Sequence, residues 1–174
     1  MTTKVKKVIS KKGQPKQDEF EQKIIDLARV TRVMAGGKRM RFRACVIIGD
    51  RKGRIGYAVA KGADVSLAVS KAVNKAKKNV LKVTLHKETI PHEVEIKFKA
   101  AKLLLKPAPL GTGIKAGGAV RSVLELAGIP NIVAKIKGSN NKINNVKATF
   151  AALESLVTES GNRKLTEEKD VKSS

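Results

Sequence analysis

The chain has no tryptophan, one tyrosine and four phenylalanines in 174 residues. A protein that stacks successive unpaired bases on aromatic platforms needs more rings than that. Its one cysteine, Cys45, cannot close an intramolecular disulfide, and no apolar run approaches the roughly 18 residues that would span a membrane. A cytosolic chain is therefore expected. His86 and His92 are the only histidines, and neither stands with Cys45 or with acids at metal-ligand spacing, so no metal site is expected. Glu93 and Glu95 are the nearest approach to paired carboxylates, but Lys97 and Lys99 follow in the same alternation, the pattern of exposed charge pairs. No catalytic constellation remains, and no enzyme and no cofactor are expected.

Acid is the other scarcity. Lys and Arg number 37 against 15 Asp and Glu, a net charge of +22. Such a chain repels itself, and a surface of phosphates relieves the repulsion by releasing condensed counterions, so a polyanionic partner is expected. Apolar residues make up 41% of the chain, enough to bury a core.

Read for periodicity, residues 1–17 form a lysine-rich arm without regular structure. The spacing of Phe20, Ile24, Ile25, Leu27 and Ala28 predicts a helix from about Glu19 to Arg29. Gly36-Gly37 signals a turn, and from Arg39 to Ile48 the residues alternate with period two. Met40, Phe42, Ala44, Val46 and Ile48 then share one strand face, while Arg39, Arg41 and Arg43 share the other. Gly49 to Gly53 reads as a hairpin loop with a second strand through Ile55, Tyr57 and Val59, and Asp64 caps a helix whose apolar stripe runs from Val65 to Val80. A second unit follows from about residue 82, with strands near Val83, Val94–Phe98 and Leu103–Leu105. Beyond them come a helix through Val120–Ala127, a strand at Ile132–Ile136 and a last helix carrying Val146, Phe150, Leu153 and Leu156. The expected division is an arm at 1–17, units at 18–81 and 82–158, and a frayed tail at 159–174.

Between Leu27 and Lys87 stand 16 Lys or Arg and only two acids. A lysine run is usually a solvated face, but arginine binds phosphate through two parallel hydrogen bonds, and Gly36-Gly37 lets backbone approach a phosphate closely. The expected RNA-binding residues are Arg32, Gly36, Gly37, Lys38, Arg39, Arg41, Arg43, Arg51, Lys52, Arg54 and Lys61, with Lys71, Lys75 and Lys78 on the helix. Gly111-Thr112-Gly113-Ile114-Lys115-Ala116 fits a dinucleotide-binding pattern. The acidic residue expected about twenty positions later is missing, however, and Pro107 and Pro109 interrupt the strand that should lead into the turn. No Gly-Lys-Ser or Gly-Lys-Thr closes a phosphate loop either. Gly111, Thr112, Gly113, Lys115, Gly117, Gly118 and Arg121 are read instead as a surface for a protein or RNA partner.

Gly36-Gly37-Lys38, Phe42-Arg43-Ala44, Gly49-Asp50, Gly53-Arg54-Ile55-Gly56 and Lys61-Gly62-Ala63 follow in an order that resembles the bacterial-type small-subunit ribosomal protein five family. Thr89-Ile90-Pro91-His92, Gly111-Thr112-Gly113, Ala116-Gly117-Gly118, Arg121, Gly138-Ser139-Asn140 and Ala148-Thr149 extend the resemblance over roughly Phe20 to Val157. It implies an α+β protein of two domains. The first is a double-stranded-RNA-binding-like α-β-β-β-α unit, and the second is a two-layer α/β unit with a left-handed βαβ crossover. It also implies a structural role in cytoplasmic ribosomes, with small-subunit rRNA, ribosomal proteins four and eight, nearby protein three and incoming mRNA as partners. No membrane or small-molecule substrate is implied. In the family the loop matching Thr31 to Lys38 reaches rRNA near the decoding region, and the stretch from Gly113 to Arg121 is tied to decoding accuracy. The alternative is a free double-stranded-RNA-binding chaperone or regulator, which needs the same basic unit but no protein-contact domain.

Overall fold

Residues 20–156 are described by the computed structural model; the arm expected at 1–17 and the tail at 159–174 lie outside them. The chain runs β1 (Glu21–Met34), β2 (Gly37–Gly49), β3 (Arg54–Gly62), α1 (Val65–Ala76), β4 (Val80–Lys82), β5 (Val94–Phe98), β6 (Ala101–Pro107), β7 (Ile114–Lys115), α2 (Gly118–Ala127), β8 (Ile132–Ile136) and α3 (Lys142–Glu154). Two four-stranded sheets result, ordered β1-β2-β3-β4 and β5-β6-β8-β7. The α+β class and the two-unit architecture expected from the resemblance are observed.

The helix expected over Glu19–Arg29 is not: from Glu21 onward the segment belongs to β1, paired antiparallel with β2, and Glu19 lies outside the described residues. A β-bulge between Ile24 and Asp26 explains the misreading. Ile24 pairs with Val46 and Leu27 with Ala44, so two residues three apart point to the same face of the sheet. Below the bulge the strand therefore imitates a helical period, and long-range pairing along β2 overrides it. Over the described residues the first unit thus runs β-β-β-α-β, without the leading helix.

Alternation in β2 has two destinations. Ala44, Val46 and Ile48 lie under α1, against its buried Ala68, Ala72 and Ala76. The opposite face sends Ile47, with Ile55 of β3, into a second cluster built mainly by the other unit, among Leu103, Leu105, Val120, Leu124, Ile132 and Leu153. Both faces of this half of β2 are covered, and for that reason Ala44 to Ile48 is a continuous buried run. In the second sheet all neighbours are antiparallel except β7 and β8, which are parallel and joined through α2. α2 and α3 complete that unit's second layer. Asn141 caps α3, its side chain accepting hydrogen bonds from the backbone N–H groups of Ile143 and Asn144.

A backbone joint locks the units together. The N–H groups of Arg51 and Gly53 donate to the carbonyls of Leu126 and Ala127, each at 3.0 Å, so the β2–β3 loop satisfies carbonyls at the end of α2. Gly128 terminates α2 at φ 77°, and a Cβ there would overlap the Arg51 carbonyl. Among the described residues no helix is long and apolar enough to cross a membrane.

Candidate nucleic-acid interface

β3 pairs with β2 only from Phe42 to Gly49, whereas β1 follows β2 all the way to Met34 opposite Gly37. Beyond Phe42 the two strands form an arm with no third strand among the described residues, and every residue from Thr31 to Arg41 is exposed. The register assembles its basic face. Arg32 stands opposite Arg39, Val30 opposite Arg41, Ala28 opposite Arg43, and Arg43 opposite Lys61 of β3. Directly opposed residues share a face, so Arg32, Arg39, Arg41, Arg43 and Lys61 project to one side. A recess of about 340 Å³ opens among Val30, Arg32, Met34, Arg39, Arg41 and Lys61.

Among the described residues no carboxylate pairs with Arg32, Lys38, Arg39, Arg41 or Lys61. Like charges placed directly across two strands destabilise them, and a two-stranded ribbon is marginal by itself. An arm of this kind is stabilised by an anion that arrives from outside. Its tip is open as well: a Cβ added at Gly36 (φ 86°) or Gly37 (φ 137°) would meet no atom of the other described residues within 4 Å. What demands glycine there is backbone conformation and not a close neighbour.

The other basic residues expected to bind RNA are placed differently. The Arg43 guanidinium donates to Asp26 at 3.1 Å in a partly buried pair, which makes it a structural group at the base of the arm. Arg51 is held by both Glu21 oxygens, at 2.8 and 3.0 Å. Arg54 donates to Asp50 at 2.6 Å and lies over the Phe20 ring. Burial alone would raise the Asp50 carboxyl pKa, but hydrogen bonds from the Arg54 guanidinium and from the N–H groups of Lys52 and Arg54 outweigh it and hold the value below the usual carboxylate range. Lys52 is exposed. The backbone of this loop serves the joint with α2. Lys71, Lys75 and Lys78 are exposed too, but α1 covers the sheet face opposite to the arginines, so they form a separate surface.

The glycine-rich stretch follows β6 and is pinned from behind. Gly113 N–H donates to the Asn131 side chain at 3.2 Å, and the Thr89 hydroxyl donates to the Asn131 carbonyl at 2.7 Å while accepting from Ala108 N–H. Asn131, nearly buried, is the residue that sequence reading missed; its only signal was a polar residue between Pro130 and an apolar strand. Gly111-Thr112-Gly113 leads into the two-residue strand β7, and α2 begins only at Gly118, so the strand–turn–helix geometry of a dinucleotide site is not formed. Gly111, Lys115, Gly117, Gly118 and Arg121 are exposed, and Thr112 and Gly113 partly so. The Arg121 guanidinium donates to Glu125 at 2.8 Å, and Lys23 of β1 donates to the same carboxylate at 3.1 Å. The Arg121 and Lys23 hydrogen bonds lower the Glu125 pKa. Arg121 is thereby oriented on α2 and tied to the first unit.

No group of three or more His, Cys, Asp or Glu among the described residues could hold a metal ion. Cys45 lies fully buried, and burial, reinforced by Asp26, pushes its thiol up to about 11, so it is no nucleophile at neutral pH.

Residues 20–84 match the family model described as Ribosomal protein S5, N-terminal domain, and residues 96–165 match Ribosomal protein S5, C-terminal domain. The chain belongs to the ribosomal protein S5 family. Curated S5-family relatives include two named Small ribosomal subunit protein uS5, from Campylobacter jejuni strain RM1221 and from a serotype O:2 strain of the same species. Each is 50% identical over 137 residues, which is 79% of this chain and 93% of the relative. The resemblance drawn from the motifs is therefore borne out, and the exposed arm lies inside the segment that matches the S5 N-terminal domain.

Proposed function

We propose that this S5-family chain is a structural constituent of the small ribosomal subunit, in the cytoplasm, and that it grips rRNA with the β1–β2 arm. The observation that carries the reading is the row of Arg32, Arg39, Arg41 and Lys61 on one exposed face with no carboxylate among the described residues to neutralise it. Arginine forks at this spacing suit consecutive phosphates, and the open glycine tip admits a sugar-phosphate backbone. Lys71 and Lys75 on α1 and Lys78 in the turn after it supply a second, weaker contact. The unit that starts near residue 82 turns its Gly111–Arg121 surface to neighbouring proteins, in this reading ribosomal proteins four and eight, with protein three near the mRNA entry path. The Lys23–Glu125–Arg121 chain supports a role in decoding accuracy, because it ties that surface to the RNA-gripping unit. The work is electrostatic and positional, with no catalytic step. Reconstitution with small-subunit rRNA and proteins tests it. The intact chain should sediment with the particle at moderate salt, while a variant with residues 31–40 replaced by a short turn should fold but be washed off. Retention of that variant at equal salt would contradict the proposal.

A further inference from the structure

Of the chain's five aromatic residues, Tyr57, Phe98 and Phe150 come together on one groove. Tyr57 is on β3, Phe98 closes β5 and Phe150 is on α3, so the groove crosses the junction between the two units. It encloses about 590 Å³, and a neighbouring recess of about 260 Å³ shares Tyr57, Asn79 and Lys147 and adds Lys75. Phe150 is buried and packs against Tyr57 with ring centroids 4.4 Å apart, which fixes the Tyr57 ring. Tyr57 and Phe98 themselves are only partly buried. Lys147 holds its ammonium 5.6 Å from the Phe98 centroid. Glu154 is the sole carboxylate among the described residues on the wall of the larger groove.

Three features point to one ligand chemistry. Tyr57 and Phe98 pack against the core from one side and keep part of their surface outside it, next to the groove. Partly exposed rings with a cation over one of them suit a planar base joined to phosphate. The exposed Asn79 amide offers both a donor and an acceptor to a base edge. Lys147 and Lys75 lie where flanking phosphates would run.

We propose that this groove seats the base of one unpaired nucleotide of single-stranded RNA against Tyr57 and Phe98, with its phosphates on Lys147 and Lys75. The inference rests on the reading of the chain as an RNA binder, but uses a surface distinct from the arm. It needs one base, not a run of them, and so agrees with the scarcity of aromatics.

The full chain carries its own reporter. Tyr57 is the only tyrosine and there is no tryptophan, so the emission of the protein originates at the groove. Hexa-adenylate titrated into the chain should quench that emission saturably, whereas an oligoglutamate peptide of equal charge should not. Phe98→Leu should raise the hexa-adenylate Kd by roughly 5- to 100-fold, the span of one lost base–aromatic stack. Lys147→Gln, which keeps most of the side-chain length at this half-exposed position, should weaken binding and lower the salt slope by about 0.7. The arm variant Arg39→Ala/Arg41→Ala should keep the quenching, which separates failure of the groove from failure of the arm. Equal quenching by the peptide would overturn the proposal in favour of an acidic polypeptide ligand. An unchanged Kd in Phe98→Leu, or in Lys147→Gln should Phe98→Leu not fold, would overturn it as well.

Discussion

Replacing Arg32, Arg39 and Arg41 together by alanine is expected to lower affinity for small-subunit rRNA by roughly 100-fold near physiological salt. Each lost phosphate contact should also reduce the slope of log affinity against log salt by about 0.9. The magnitude follows from counterion release by three exposed guanidiniums, none of them neutralised by a carboxylate among the described residues. Thermal stability should hold or rise slightly, because the Arg32–Arg39 cross-strand pair is repulsive in the free protein. Arg43→Ala should behave in the opposite way. Its guanidinium is committed to Asp26 at 3.1 Å, so its removal should cost about 1–2 kcal/mol of stability and leave the salt slope nearly unchanged. Salt-titrated binding and denaturant melts on the two variants separate recognition from support. A triple variant with an unaltered slope would remove the arm from the RNA interface.

Gly128→Ala is expected to be among the most damaging single-methyl additions, costing about 3–4 kcal/mol. A side chain at φ 77° carries roughly 1–2 kcal/mol of strain. The added Cβ also collides with the Arg51 carbonyl, and moving that loop away breaks the Arg51–Leu126 and Gly53–Ala127 backbone hydrogen bonds, each worth about 1 kcal/mol net. Gly36→Ala is the matched comparison. Its φ is 86° but a Cβ there meets nothing, so only the conformational strain of roughly 1–2 kcal/mol remains. Equal losses of stability in the two variants would mean that the joint between the units contributes little.

Much of the arm was legible in the sequence, because a strict period of two from Arg39 to Ile48 leaves little choice of which residues share a face. Its length was not, since the β1 bulge made Ile24 and Leu27 look like neighbours on a helix. The role of Arg51 and Arg54 was hidden for a different reason. Glu21 is an ordinary exposed acid thirty residues from Arg51, Asp50 is a nearly covered acid that pairs with Arg54 inside the same loop, and docking on α2 turns that loop from a free tip into a joint. Lys71 and Lys75 stand on the exposed face of a helix as expected, whereas Lys78 falls in the turn after it, and which side of the sheet that helix covers is a tertiary fact. Asn131 and the Tyr57–Phe98–Phe150 groove depend on contacts between segments far apart in the chain, and no local pattern announces such contacts. Recognition of the family rested on the order of many short motifs, each weak by itself.

The most direct test is photo-crosslinking of the chain within isolated small subunits, with the RNA-bearing peptides mapped to residues. Dense adducts to rRNA between Thr31 and Arg41 are predicted, with sparser ones along α1. If RNA adducts were confined to α1 and the arm carried none, the claim that this ribbon is the principal grip on RNA would be contradicted.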